Sequence, residues 1–163
     1  MHESGHSIDH SIGKALGIGP KKFSVSYNDG EFEKSLIKEA DDYIKSYQKK
    51  LSQETGQKVS ISQARAALGK QMIKEGYAAT GDVSDMLEGA TKGKFSGSAG
   101  HGKTYWTGST VFGIKMPGHS VATEAFAEMF SATTTNPTSL AKIKEVFPKS
   151  YDVFMRMIKE AAQ

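Results

Sequence analysis

Near the start of the chain stand two histidines four residues apart, His2 and His6, with Glu3 directly after the first, in the stretch MHESGHSIDH. On a helix, positions i and i+4 share one face a turn apart. Both imidazoles can then reach one ion at about 2.0–2.1 Å. Glu3 is displaced by about 100° round the helix, beside such an ion and not upon it. A carboxylate there is placed to take a proton from a water that the ion polarises. The pattern is H-E-x-x-H, which zinc commonly occupies. The bland alternative is a polar helix start that happens to carry histidines, and a third ligand must decide between them. A catalytic zinc takes three protein ligands and keeps one position for water.

Geometry rejects the nearest candidate. His10 lies eight residues from His2, about 12 Å along a helix, too far for two ligands of one ion. A longer motif with a third histidine ten residues after the first would need it where Ile12 stands. Asp9, three residues after His6 on the same face, is better suited to hold a histidine ring nitrogen. The third ligand should therefore come from another helix. TEAFAEMF places Glu124 and Glu128 one turn apart among Ala, Phe and Met. Two carboxylates so placed repel each other, and an apolar setting makes them costly unless something compensates. A cation between two helices would compensate, one glutamate binding it and the other hydrogen-bonding a ligand or the backbone. Two solvent-facing glutamates are the plain alternative.

The elements that must carry these groups are mostly helical by pattern. At 163 residues, the chain is long enough for one domain with a real core. Its 37% apolar content fits a globular protein, and a net charge of +3, scattered on helix faces, gives no footprint for nucleic acid. It has no cysteine, so no disulfide or thiolate site. No apolar run approaches the roughly 20 residues of a membrane span. The first helix is expected from His2 to about Leu16, with Ile8, Ile12, Ala15 and Leu16 as its apolar stripe and GIGPKK as its stop. KFSVSY reads as extended. Phe32, Leu36, Ala40, Tyr43, Ile44, Tyr47 and Leu51 mark a long amphipathic helix from about Glu31 to Leu51. Ser60 or Ser62 caps the next, with Ile61, Ala64, Leu68, Met72 and Ile73 inward. AATGDVSD reads as a loop before a short helix near Ser84 to Gly89.

From Gly89 to Gly118 the chain turns rich in Gly, Ser and Thr, yet it holds Phe95, Tyr105, Trp106 and Phe112 with His101. A flexible linker would not carry those aromatics, so an ordered irregular loop is expected, with a short hairpin in it. GSAGHGK lacks the glycine spacing, the Ser/Thr after Lys and the preceding strand of a phosphate loop. Beyond it, SVATEAFAEMFSATT, the stretch from NPTSL to Val146, and FPKSYDVFMRMIKEAAQ read as three helices.

HESGHSID followed by EAFAEMF resembles the lethal-factor-like zinc peptidases. GHGKTYW and FPKSYDVFMRM extend the resemblance to the peptidase-like C-terminal regions of phage minor head (head morphogenesis) proteins. The likeness touches both ends and the loop, and the 30–90 stretch least. It implies a zincin-like helical domain over 1–163 with little or no β-sheet. It implies Zn²⁺ on His2, His6 and Glu124, Glu3 as the base, and Glu128 supporting a ligand. The tyrosine that stabilises the oxyanion in lethal factor falls on Pro117 here. His119 is the favoured substitute, just ahead of the glutamate helix, with Tyr105 or His101 as others able to donate to an oxyanion.

Zinc peptidases of this kind carry a sheet before the histidine helix, and none precedes His2. The chain is therefore expected to be the C-terminal part of something larger, or a peptidase-like piece without its N-terminal half. The function expected is zinc-dependent peptide hydrolysis on a peptide or protein substrate, among phage head proteins, in a virion or the host cytoplasm. Two alternatives stay open: a structural virion module that keeps the fold and cleaves nothing, and a host-directed, toxin-like peptidase. Neither nucleic acid nor membrane is expected as a partner.

Overall fold

The computed structural model of the chain describes residues 1–18 and 22–163. In chain order come helices α1 (His2–Ala15), α2 (Phe23–Ser26), a 3₁₀ turn (Tyr27–Asp29), α3 (Glu31–Thr55), α4 (Ile61–Glu75), α5 (Tyr77–Ala90) and α6 (Lys103–Thr107). A hairpin of β1 (Ser109–Val111) and β2 (Ile114–Met116) follows, then α7 (Val121–Thr135), α8 (Pro137–Val146) and α9 (Pro148–Ala161). The protein is mainly helical, with one two-stranded sheet among the described residues. No helix among them is long and apolar enough to cross a membrane.

Helix α3 is the long strut. Phe32, Leu36, Ala40 and Ile44, spaced by four, are all buried, and they pack with Leu68, Met72, Met86, Phe126, Phe147 and Phe154 in one core. The helix runs past Leu51 to Thr55, where Gly56 turns the chain with a left-handed φ of 66°. Ser60 caps α4: its side chain accepts from the Gln63 amide, and the Gln63 side chain returns to the Ser60 amide. Asn136 caps α8 ahead of Pro137, accepting from the Ser139 amide.

Helix α7 runs through the middle of the fold, and α1 lies against it. The face that α1 buries differs from the expected apolar stripe. Gly5, Asp9 and Gly13 are its buried residues, while Ile8 and Ile12 are half-buried and Ala15 and Leu16 exposed. Small residues let two backbones approach closely: a Cβ on Gly5 would lie 2.6 Å from the Ala127 Cα. The histidines therefore flank the line of closest approach. Of the expected stop GIGPKK, Gly19, Pro20 and Lys21 lie outside the described residues.

Two further expectations are corrected. KFSVSY is not extended, because Phe23 and Tyr27 bury edge to face at 5.4 Å and wind the chain into α2 and the 3₁₀ turn. AATGDVSD is not a loop, because it lies inside α5. From Thr80 to Ala90 that helix is buried at every position except Asp82. Its glycines, serine and threonine are small enough for neighbouring helices to surround it, and that packing overrides weak helix propensity.

The stretch after α5 is an ordered irregular loop, as its aromatics imply. Phe95 and Trp106 are buried. Glu88 holds it by accepting from the His101 and Gly102 amides and, at 3.1 Å, from Trp106 Nε1. The hairpin pairs Ser109 with Met116 and Val111 with Ile114. Its two-residue turn has positive φ at both Phe112 (50°) and Gly113 (77°), the geometry that matches strand twist.

Candidate metal centre

Four segments converge on one spot. Helix α1 brings His2, Glu3 and His6. Helix α7 brings Glu124 and Glu128. Helix α5 brings Asp82 and Asp85, and the loop around α6 brings His101, Tyr105 and His119. Ser120 fixes the start of α7 by accepting from the Ala122 amide at 3.2 Å, which sets Glu124 on the first turn.

His2, His6 and Glu124 each offer a ligand atom within 4.8 Å of the others. His6 Nε2 lies 3.3 Å from Glu124 Oε2, and His2 Nε2 lies 3.7 Å from the same oxygen. His2 Nε2 also lies 3.4 Å from Glu128 Oε1. These gaps are long for hydrogen bonds. Two donors each 2.0–2.1 Å from a tetrahedral ion stand about 3.4 Å apart. His2 Nε2 is buried and without a hydrogen-bond partner. Burial, then the neighbouring His6, pulls the His2 pKa down, so the ring stays neutral with a lone pair to give. An imidazole pair and a carboxylate so arranged can hold a metal ion.

The glutamates are not solvent-facing. Glu124 is 3% exposed, and the Tyr105 hydroxyl donates to its Oε1 at 2.8 Å. Burial pushes the Glu128 pKa up to about 9, with Asp82, Asp85 and Glu124 adding repulsion. Neither Lys nor Arg forms an ion pair with these carboxylates among the described residues.

Tyr105 is clamped between two imidazoles. Its ring stacks on His101 at 4.0 Å and on His119 at 3.9 Å. The His119 amide donates to the Tyr105 carbonyl, and His119 Nδ1 comes within 3.8 Å of Glu124 Oε1. Burial, then the hydrogen bond to Glu124, raises the Tyr105 pKa, so its hydroxyl keeps its proton. All three loop residues considered as oxyanion donors thus stand at the site, and Tyr105 holds the closest contact.

Two residues depart from expectation. Asp9 does not hold a histidine: its carboxylate accepts from the Ser24 amide at 2.7 Å and the Ser24 hydroxyl at 2.6 Å, tying α1 to α2. His6 Nδ1 is left buried without a partner. Glu3 stands at the edge of the site, 94% exposed, with Oε1 3.9 Å from His2 Nδ1.

The sequence reading missed Asp85. It lies 3% exposed on α5, forms a second group with His101 and Glu124, and has no hydrogen-bond partner on either oxygen. A signal for it exists: Asp82, Asp85 and Glu88 recur at three-residue spacing, one face of a helix without a basic partner. Starting the helix only near Ser84 left Asp82 off that face and concealed it. A cleft of about 530 Å³ opens beside the site, lined by His2, Tyr77, Asp82, Asp85, Gly100, His101 and Glu128. Comparison of the chain with family models, curated proteins and solved structures returns no match.

Proposed function

We propose that the chain is a zinc-dependent peptidase whose ion sits on His2, His6 and Glu124. The observation that carries this is the His2–His6–Glu124 group itself: imidazole and carboxylate donors at ion-bridging separations, with the buried His2 Nε2 unpartnered. Two nitrogens and one oxygen form the ligand set of a catalytic zinc with one position open. When bound, zinc supplies Lewis acidity and makes a water acidic enough to attack at neutral pH.

The chain's own groups do the remainder. Glu3, exposed and free to rotate on the first turn of α1, takes the proton of the attacking water and delivers it to the leaving amine. The Tyr105 hydroxyl turns from Glu124 to the oxyanion that develops on the peptide carbonyl, with His119 stacked behind it. Glu128 orients His2 across the 3.4 Å contact. The substrate is a peptide or protein segment entering the adjoining cleft.

The motifs HESGHSID, GHGKTYW and TEAFAEMF support placing this activity in a phage head protein, acting in the virion or the host cytoplasm on other head components. The competing reading is a structural virion module that keeps the ion and cleaves nothing. The 94% exposure of Glu3 favours it. One experiment separates them. Zinc is measured on parent, His6→Ala and Glu3→Gln, and each is incubated with a peptide library. Peptidase activity requires equal zinc on the parent and on Glu3→Gln, one ion fewer on His6→Ala, and cleavage by the parent alone. Zinc with no cleavage by the parent makes it the module, and a zinc content in His6→Ala equal to the parent's removes both readings.

A further inference from the structure

Asp85 has the unusual setting in this molecule. Its side chain is 5% exposed, and both carboxylate oxygens are shielded from solvent and unpartnered. The group points at His101, whose Nε2 lies 3.6 Å from Asp85 Oδ1. Asp85, His101 and Glu124 offer ligand atoms within 4.8 Å of one another, as a set distinct from the histidine pair of α1.

We infer that Asp85, His101 and Glu124 hold a second divalent cation, so that the Glu124 carboxylate lies between two ions. The inference extends the zinc reading of the α1 histidines, with which it shares that one residue. A carboxylate has two oxygens and can serve two ions, and two-metal centres place their ions about 3.5–4 Å apart. Glu124 has the required arrangement: Oε2 faces His2 and His6, while Oε1 faces the loop side, toward Tyr105 and His119.

His101 is positioned as a ligand and not as a wandering surface residue. Its amide donates to Glu88 Oε2 at 2.6 Å, and its ring stacks on Tyr105. Its side chain is 44% exposed toward the cleft, which gives a cation a way in. Two carboxylates and one imidazole suit a first-row divalent ion such as Zn²⁺ or Mn²⁺ more than a soft monovalent one. Such an ion satisfies both Asp85 oxygens and offsets the repulsion between Asp85 and Glu124, which no Lys or Arg offsets among the described residues.

The test is equilibrium dialysis of the whole chain against Zn²⁺, with Mn²⁺ in a parallel arm, in the presence of a weak chelator, followed by metal analysis. The parent should hold two divalent ions per chain. Asp85→Asn and His101→Ala should each hold one, and His6→Ala should keep the ion at Asp85. His101→Ala removes an exposed ring and leaves its backbone bond to Glu88, so it decides the matter if Asp85→Asn does not fold. A parent with a single ion that His101→Ala retains overturns the inference, as do two ions in either variant. A single ion lost by His101→Ala and kept by His6→Ala sustains this site and refutes the histidine-pair reading.

Discussion

The protein buries carboxylates in two ways, and the contrast separates its scaffold from its site. Glu39, on α3, accepts from the Lys149 amide, the Ser150 amide and the Ser150 hydroxyl at 2.6–2.8 Å, closing the first turn of α9. Asp9 accepts twice from Ser24, and Glu88 accepts from two loop amides and an indole. Each of these is a helix-to-helix or helix-to-loop fastening with its lone pairs used. Asp85, Glu124 and Glu128 share among them one hydroxyl donor and a set of histidine contacts beyond 3.2 Å. A buried acceptor without donors costs roughly 1–3 kcal/mol, more when charged. Scaffold carboxylates avoid that cost inside the protein. Those at the site leave it unmet among the described residues.

The largest effect expected from breaking this contrast is at Glu124. Glu124→Ala removes the oxygen that both histidines face, so zinc affinity should fall well beyond the ~100-fold that loss of an outer partner costs. Titration against a chelator measures it. The metal-free fold should survive, since removing one of three mutually repelling carboxylates relieves the others; loss of cooperative unfolding in Glu124→Ala would make Glu124 scaffold after all.

Glu39→Ala should do the reverse. It strips charge-assisted hydrogen bonds from the α9 terminus and leaves buried donors unpaired, so stability should drop by about 3 kcal/mol. Zinc affinity should be unchanged. Denaturant unfolding with and without zinc reads both quantities, and a Glu39 variant that loses metal would erase the distinction between the two classes.

Between these lies Glu128, which contacts His2 at 3.4 Å and is nearer the surface than Glu124. Glu128→Gln keeps the shape and loses the charge. It should weaken zinc by about 10–100-fold and leave the site assembled. Parent-like affinity would place Glu128 outside the centre.

How far the sequence could reveal this follows from what each signal measures. The strut α3, the caps at Ser60 and Asn136 and the convergence of His2, His6 and Glu124 all rest on local spacing, which survives folding. The ordered loop was legible because Phe95 and Trp106 must be buried somewhere. The face of α1 was not: periodicity marks apolar residues, whereas the close contact with α7 is made at Gly5, which carries no hydrophobic signal. The first half of helix α5 was missed for the same reason, since Thr80, Gly81, Ser84 and Gly89 pack by smallness. Asp85 went with it. Asp9 was misplaced because helical spacing puts it near His6 but cannot show that Ser24, fifteen residues on, supplies two donors.

The smallest predicted effect tests the contrast through pH, in protein freed of metal by chelation. Burial raises Asp85 from 3.8 to about 7 and Glu128 from 4.5 to about 9. Between each pair of values the folded chain binds a proton that the unfolded chain has released, so folding stability falls as pH rises. The Asp85 contribution is complete below pH 3.8 and spent near 7; that of Glu128 declines from 4.5 to about 9. Exposed Glu31, held low by Asn28 and Arg156, acts in the opposite sense on the acid side, and so does His2, held down by burial, as pH rises toward its ordinary 6.5. The metal-free protein should therefore melt a few degrees higher at pH 5 than at pH 8, and Asp85→Asn should flatten that slope over pH 4–7. With zinc the order should invert, because ligands bind metal deprotonated and the binding free energy adds to folding as pH rises. Thermal unfolding at pH 5, 6.5 and 8, in chelator and in zinc, reads all of this. A metal-free melting temperature that climbs from pH 5 to 8 would mean that the carboxylates of α5 and α7 are as well satisfied as Glu39, and the distinction between scaffold and site would fail.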